Sequence, residues 1–116
     1  MTESYLGIDI GTSGARAILI SGDTRVLASA SSTLPASRNH HDMLCQQPED
    51  WWHAVLYCLQ KITLLHDCSG LPAIAIDGTS GTTLLTDTRN QPISPALMYN
   101  DIRSADLLDS ICSSAP

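Results

Sequence analysis

Leu6-Gly7-Ile8-Asp9-Ile10-Gly11-Thr12-Ser13-Gly14-Ala15-Arg16-Ala17 is the stretch on which the fold turns. An apolar segment ends in one carboxylate, a turn of small residues follows, and a second apolar segment begins. This order predicts two antiparallel strands, Tyr5 to Ile10 and Ala15 to Ile20, joined by a phosphate-holding hairpin. A carboxylate set in an apolar strand is costly unless something pairs with it. A hydrated magnesium ion, held by one or two carboxylates and by phosphate oxygens, suits Asp9. Gly11 and Gly14 permit positive φ and close backbone approach. Turn amides and the hydroxyls of Thr12 and Ser13 can then face phosphoryl oxygens. The plainer alternative is an ordinary hairpin with a half-exposed Asp. The stretch is neither a P-loop nor a dinucleotide-binding fingerprint, because it lacks the Gly-Lys-Ser/Thr ending and leads into a strand rather than a helix.

Beyond it, Ser21-Gly22-Asp23 reads as a turn and Arg25 to Ser32 as a third strand, with Val26, Ala28 and Ala30 on one face. The three strands make a meander. Pro35 to Gln47 is polar and reads as an irregular loop. Pro48 opens a helix, with Glu49 and Asp50 complementing the positive end of its dipole. Trp52, Val55, Leu56, Leu59, Ile62 and Leu65 recur at helical spacing and predict its apolar face, with Cys58 on the same side. The Trp51-Trp52 pair reads as core packing plus one partly exposed indole rather than a stacking platform.

Ala73 to Ile76 is a short apolar strand ending at Asp77, and Gly78-Thr79-Ser80-Gly81 follows as a second turn of the same kind. Thr83 to Thr86 reads as a returning strand, Asp87 to Pro92 as a turn, and Ala96 to Tyr99 as a short extended piece. Asn100 or Asp101 is suited to cap a last helix, Ile102 to Ile111, with Ile102, Ala105, Leu108 and Ile111 inward.

A chain of 116 residues suits one small domain rather than two. Its formal net charge of −6, spread along the chain, argues against nucleic-acid partners and against a basic membrane-surface patch. A phosphorylated ligand stays open, since backbone amides and a metal handle phosphate without many cations. No apolar run is long enough to span a bilayer, and no secretory pattern opens the chain. The expectation is a cytoplasmic protein with Cys45, Cys58, Cys68 and Cys112 reduced, none of them in CxxC spacing. A zinc site built from these with His40, His41, His53 or His66 is not favoured, and His40-His41 is expected to face solvent.

A meander with an Asp-Gly-Thr hairpin, a crossover helix and a further parallel strand matches the α/β, ribonuclease H-like core of the sugar kinase, Hsp70 and actin group. Within it the chain resembles the FGGY family of carbohydrate kinases. Four stretches carry the resemblance: Gly7 to Ser13, Gln47-Pro48-Glu49-Asp50-Trp51-Trp52, Ala75 to Leu85, and Pro95 to Arg103. They follow the family's order and approximate spacing, and they cover essentially the whole chain. The Asp77-to-Thr82 turn and the Asn-Asp-x-Arg stretch resemble the D-ribulokinase and xylulokinase-like branch. Xylulokinases commonly have Met-His where this chain has Thr79-Ser80, and glycerol kinases have Arg-Glu where it has Ser80-Gly81. The substrate suggested is therefore D-ribulose or a close ketopentose, with xylulose or another sugar or polyol as the alternative.

The resemblance implies roles. Asp9 organises Mg2+, through water, near the transferred phosphoryl group. Gly11, Thr12, Ser13 and Gly14 bind the phosphates of ATP. Arg16 either approaches phosphate or has a structural role. Thr79, Ser80 and Gly81 line the sugar pocket, and Asn100, Asp101 and Arg103 lie close to it. Helix capping by Asn100 and Asp101, with Arg103 as a local ion partner, is the alternative. The reaction implied is in-line phosphoryl transfer to a primary hydroxyl, with a general base accepting its proton.

Family members are much longer. Their general-base Asp and most of the adenosine site lie beyond the equivalent of Pro116. The resemblance thus makes residues 1–116 the N-terminal part of the first, sugar-binding lobe, lacking the rest of that lobe and the second lobe. Such a segment is expected to be inactive alone and to self-associate through uncovered sheet, while a homodimer would be unsurprising for the longer protein. Another kinase of the superfamily, or a non-catalytic interaction domain retaining the fold, remain as alternatives.

Overall fold

The computed structural model describes residues 3–115, and Met1, Thr2 and Pro116 lie outside them. The chain divides into two compact units rather than the single domain its length suggested. Residues up to Ala36 with Gln47–Ser80 form the first. Ser37–Gln46 with the chain from Gly81 onward form the second.

In the first unit, β1 (Ser4–Ile10), β2 (Gly14–Ser21) and β3 (Val26–Thr33) make the expected antiparallel meander. The strand order is β3-β2-β1-β6, with β6 (Ile74–Gly78) parallel to β1. A parallel neighbour needs a crossover, and α1 (Pro48–Thr63) supplies it. Pro48 stands at the start of α1, and Glu49 and Asp50 lie in its first turn. α1 packs chiefly on β2 and β3. The core joins Leu6 and Ile8 of β1, Ala15, Ala17 and Leu19 of β2, Ala28 of β3, and Ala54, Val55, Cys58 and Ile62 of α1. The alanines under the helix let it approach the sheet closely. Cys58 donates to the Ala15 carbonyl at 3.6 Å, and burial pushes its thiol pKa up, which keeps it protonated.

Several expectations shift here. The buried stripe of α1 is rotated, so that Trp51 packs against the core while Trp52 and Leu65 are exposed. Val26 is exposed although Ala28 is buried, because an irregularity at Leu19/Ile20 breaks the β2–β3 register just before it. β6 is exposed along its whole length, since β1 pairs with it on one side and α1 does not reach over it.

The second unit corrects the sequence reading most. Within Pro35 to Gln47, expected to be a loop, β4 (Arg38–His40) and β5 (Met43–Gln46) form a hairpin. His41 and Asp42 both take positive φ, which matches the twist of a two-residue hairpin turn. β5 also pairs with β7 (Ala96–Leu97), giving the order β4-β5-β7 around buried Cys45, Ala96 and Met98. Thr83 to Thr86 is not a strand. It makes single bridges, Thr83 with Leu97 and Thr86 with Pro92. The last helix is a 3-10 turn, Arg103–Leu107, followed by α2 (Leu108–Ser114), without a side-chain cap and without a buried residue. Ile102, Leu108 and Ile111, expected inward, are exposed.

Candidate active site

The register of the first unit assembles one row across four strands. Asp9 stands opposite Arg16 on one side and Asp77 on the other, and Arg16 stands opposite Ser31. Side chains alternate along a strand. The row therefore lies on the face turned away from Leu6, Ile8, Ala17 and α1. It lines an open groove of about 770 Å³.

Arg16 Nη1 donates to Asp9 Oδ2 at 3.2 Å, with the two side chains 60% and 49% exposed. Such an ion pair is worth on the order of 0.5 kcal/mol. A multiply charged ligand can therefore displace it at little cost. The guanidinium also lies beside the phosphate-type hairpin, since a Cβ on Gly11 would stand 3.5 Å from Nη1.

The hairpin is closed by the Gly11 N–H, which donates to the Gly14 carbonyl at 2.9 Å, and Leu34 N–H donates to the Ser13 carbonyl at 2.9 Å. Positive φ, expected to be permitted at Gly11 and Gly14, is used at neither. Gly14 is required for a different reason: a Cβ there would come 2.6 Å from the Ser32 carbonyl oxygen.

The second turn begins beside the first, at the C-terminal ends of parallel β1 and β6. Thr79 N–H donates to the Ile10 carbonyl at 3.1 Å. The Thr79 hydroxyl reaches the same carbonyl at 3.5 Å and the Thr12 hydroxyl at 3.4 Å. Ser80 is exposed in the turn.

The remaining sequence-derived site residues belong to the second unit. Gly81 has φ +73°, and a Cβ on it would meet Tyr99 Cβ at 3.3 Å. Asn100 is exposed. Asp101 is tied down: its Oδ2 accepts the Leu44 N–H at 2.8 Å, and its Oδ1 accepts the Arg103 N–H at 3.1 Å and Nε at 3.0 Å. Its side chain is 5% exposed. The Leu44 N–H foremost, then Arg103, holds its carboxyl below the usual carboxylate range.

Sequence reasoning passed over Asp77 as a site residue. The signal was present, because Asp77 ends an apolar strand just as Asp9 does, but its relevance depends on the β1–β6 register. Among the described residues no three His, Cys, Asp or Glu side chains gather into a metal cage. Two adjacent carboxylates beside a hydroxyl-bearing turn instead fit a magnesium ion that keeps most of its water and brings phosphate with it.

The sequence pattern of the FGGY family of carbohydrate kinases, N-terminal domain, matches residues 4–115. The chain belongs to that family. Among curated relatives, the xylulose kinase of Escherichia coli is 34% identical over 87% of this chain, and the gluconokinase of Bacillus subtilis is 29% identical over 90%. The crystal structure of xylulose kinase from Rhodospirillum rubrum superposes with a TM-score of 0.86 at 24% identity, covering 97% of this chain and 24% of that one. The fold is thus the ribonuclease H-like one of the sugar kinases. The chain spans about a fifth of the length of the curated relatives it matches, 21% and 20% for these two. Among the described residues, no helix is long and apolar enough to cross a membrane.

Proposed function

We propose that this FGGY chain is the N-terminal part of the sugar-binding lobe of an ATP-dependent ketopentose kinase, with D-ribulose as the first candidate substrate. The observation that carries the reading is the pairing of two Asp-ended parallel strands, each followed by a small hydroxyl-rich turn, beside Arg16. Parallel strands present ligands at their carboxyl ends.

Gly11, Thr12, Ser13 and Gly14 bind the phosphates of ATP through backbone N–H groups and hydroxyls. Asp9, with Asp77 next to it, holds Mg2+ through water. The ion supplies charge neutralisation on the phosphates. Arg16 exchanges Asp9 for a phosphate oxygen. Ser80 takes the sugar side of the first unit's turn. In the second unit the family resemblance assigns Gly81, Asn100 and Arg103 to the sugar, with Asp101 holding its own segment in place. The sugar's primary hydroxyl oxygen forms a bond to the γ-phosphorus, the bond from that phosphorus to the ADP oxygen breaks, and the hydroxyl proton passes to a general base. That base lies outside these residues, so the 116-residue chain alone transfers no phosphate.

D-Xylulose is the second reading, favoured by the identity to the Escherichia coli xylulose kinase. Thr79-Ser80, where xylulokinases commonly have Met-His, supports D-ribulose instead. The test takes the complete gene product, its intact mass measured, and follows ADP release with D-ribulose, D-xylulose, gluconate and glycerol. The highest kcat/KM on D-ribulose supports the proposal. The highest on D-xylulose transfers it to the second reading, and turnover of none overturns both.

A further inference from the structure

The family resemblance assigns Thr79 to the sugar, but its hydroxyl reaches the phosphate hairpin. Its hydroxyl lies between the Ile10 carbonyl, 3.5 Å away, and the Thr12 hydroxyl, 3.4 Å away. The Ile10 carbonyl already receives the Thr79 N–H at 3.1 Å. The hydroxyl bond to that carbonyl is therefore dispensable, and the Thr79 proton can turn to Thr12 without leaving a buried acceptor unsatisfied.

Thr12 has one hydroxyl proton to give. If it gives it to Thr79, a phosphate oxygen meets lone pairs. If Thr79 donates to Thr12, the Thr12 proton is directed at the phosphate, and the two bonds run in one sense and strengthen each other. Hydrogen bonds of this kind are often long in a free site and shorten when the ligand is bound.

We propose that Thr79 is a positioning residue for the phosphate hairpin: its hydroxyl donates to Thr12 Oγ1 and orients the Thr12 hydroxyl onto the nucleotide's phosphates. This rests on the kinase reading for its ligand, but it makes a distinct claim, since Thr79 then serves ATP rather than the sugar. Thr79→Val keeps the shape and removes the donor. Thr79→Ser keeps the donor.

The experiment measures KM for ATP and for the ketopentose in the complete gene product of each variant. In Thr79→Val the KM for ATP rises about tenfold, the scale of one lost hydrogen bond, the ketopentose KM stays within about twofold, and Thr79→Ser keeps wild-type values. A rise in ketopentose KM with ATP KM unchanged overturns the proposal, as does no change in either. A parallel rise in both that serine fails to rescue also overturns it, because a merely structural role would do that. If the wild-type protein phosphorylates none of the sugars, the kinase reading fails separately. Thr79 is then read by amide exchange at Thr12 and Ser13 in the 116-residue chain. Faster exchange in Thr79→Val but not in Thr79→Ser supports the coupling, and equal exchange in both sinks it.

Discussion

Two Asp–Arg pairs, one in each unit, have the same chemistry and opposite settings. Asp9 and Arg16 meet at 3.2 Å across neighbouring strands with about half of each side chain exposed. Asp101 and Arg103 meet at 3.0 Å within one turn, with Arg103 44% and Asp101 5% exposed, and Asp101 also accepts a backbone N–H from β5. The first carboxylate has capacity for a ligand at small cost. The second is committed to backbone groups that would otherwise lose their partner. An Asp in a family motif is therefore not one kind of residue. Its surroundings decide whether it meets substrate or holds a segment.

The largest expected effect breaks that contrast from the open side. Asp9→Ala in the complete gene product lowers kcat by on the order of a thousandfold, the scale of losing one electrostatic element of a phosphoryl-transfer site, while circular dichroism and melting temperature stay near wild type. Turnover near the wild-type value would remove Asp9 from the mechanism.

The glycines extend the comparison. Gly14→Ala must push the Ser32 carbonyl away from a Cβ placed 2.6 Å from it, which costs about 1–3 kcal/mol. Gly81→Ala instead pays for left-handed backbone at φ +73°, about 1 kcal/mol. Thermal melts of the two variants give the ranking. An unchanged melt for Gly14→Ala would show that the β2–β3 contact is looser than described.

Asp101 predicts an acid sensitivity. Its carboxyl pKa is lowered in the folded chain, so its stabilisation is fully present above the ordinary Asp value, about 3.9, and is lost as pH falls through the lowered one. Melting curves on the acid side should be flatter in pH for Asp101→Asn than for wild type. Equal slopes would mean that the Leu44 N–H does not depend on this carboxylate. The smallest effect belongs to Arg16→Ala, within about 1 kcal/mol in stability because the pair is exposed. Chemical denaturation measures it, and a larger loss would show that Arg16 packs as well as pairs.

Much of the first unit is legible along the chain. Apolar alternation marks β1 and β2, Pro48-Glu49-Asp50 marks the start of α1, and Asp9 with its small-residue turn marks the candidate site, because each of these signals is local. The second unit is less legible. β4 is three exposed polar residues and β5 only the four residues Met43 to Gln46, and their hairpin turns on His41 and Asp42 rather than on Gly, so neither alternation nor turn composition announces them. The segment after Asp101 has helical spacing, but Ile102, Leu108 and Ile111 remain exposed, since periodicity states which residues share a face and not what covers it.

The sequence alone determined the family, through four stretches spread along the chain, and the meander, the crossover helix and the hydroxyl-rich turn after Asp9, which rest on neighbours within a few residues. Tertiary structure alone decided that Asp77 stands beside Asp9, that Thr79 faces Thr12, and that Asp101 is consumed by Leu44. Those contacts join residues some 57 to 68 positions apart, and strand register, which composition does not encode, brings them together.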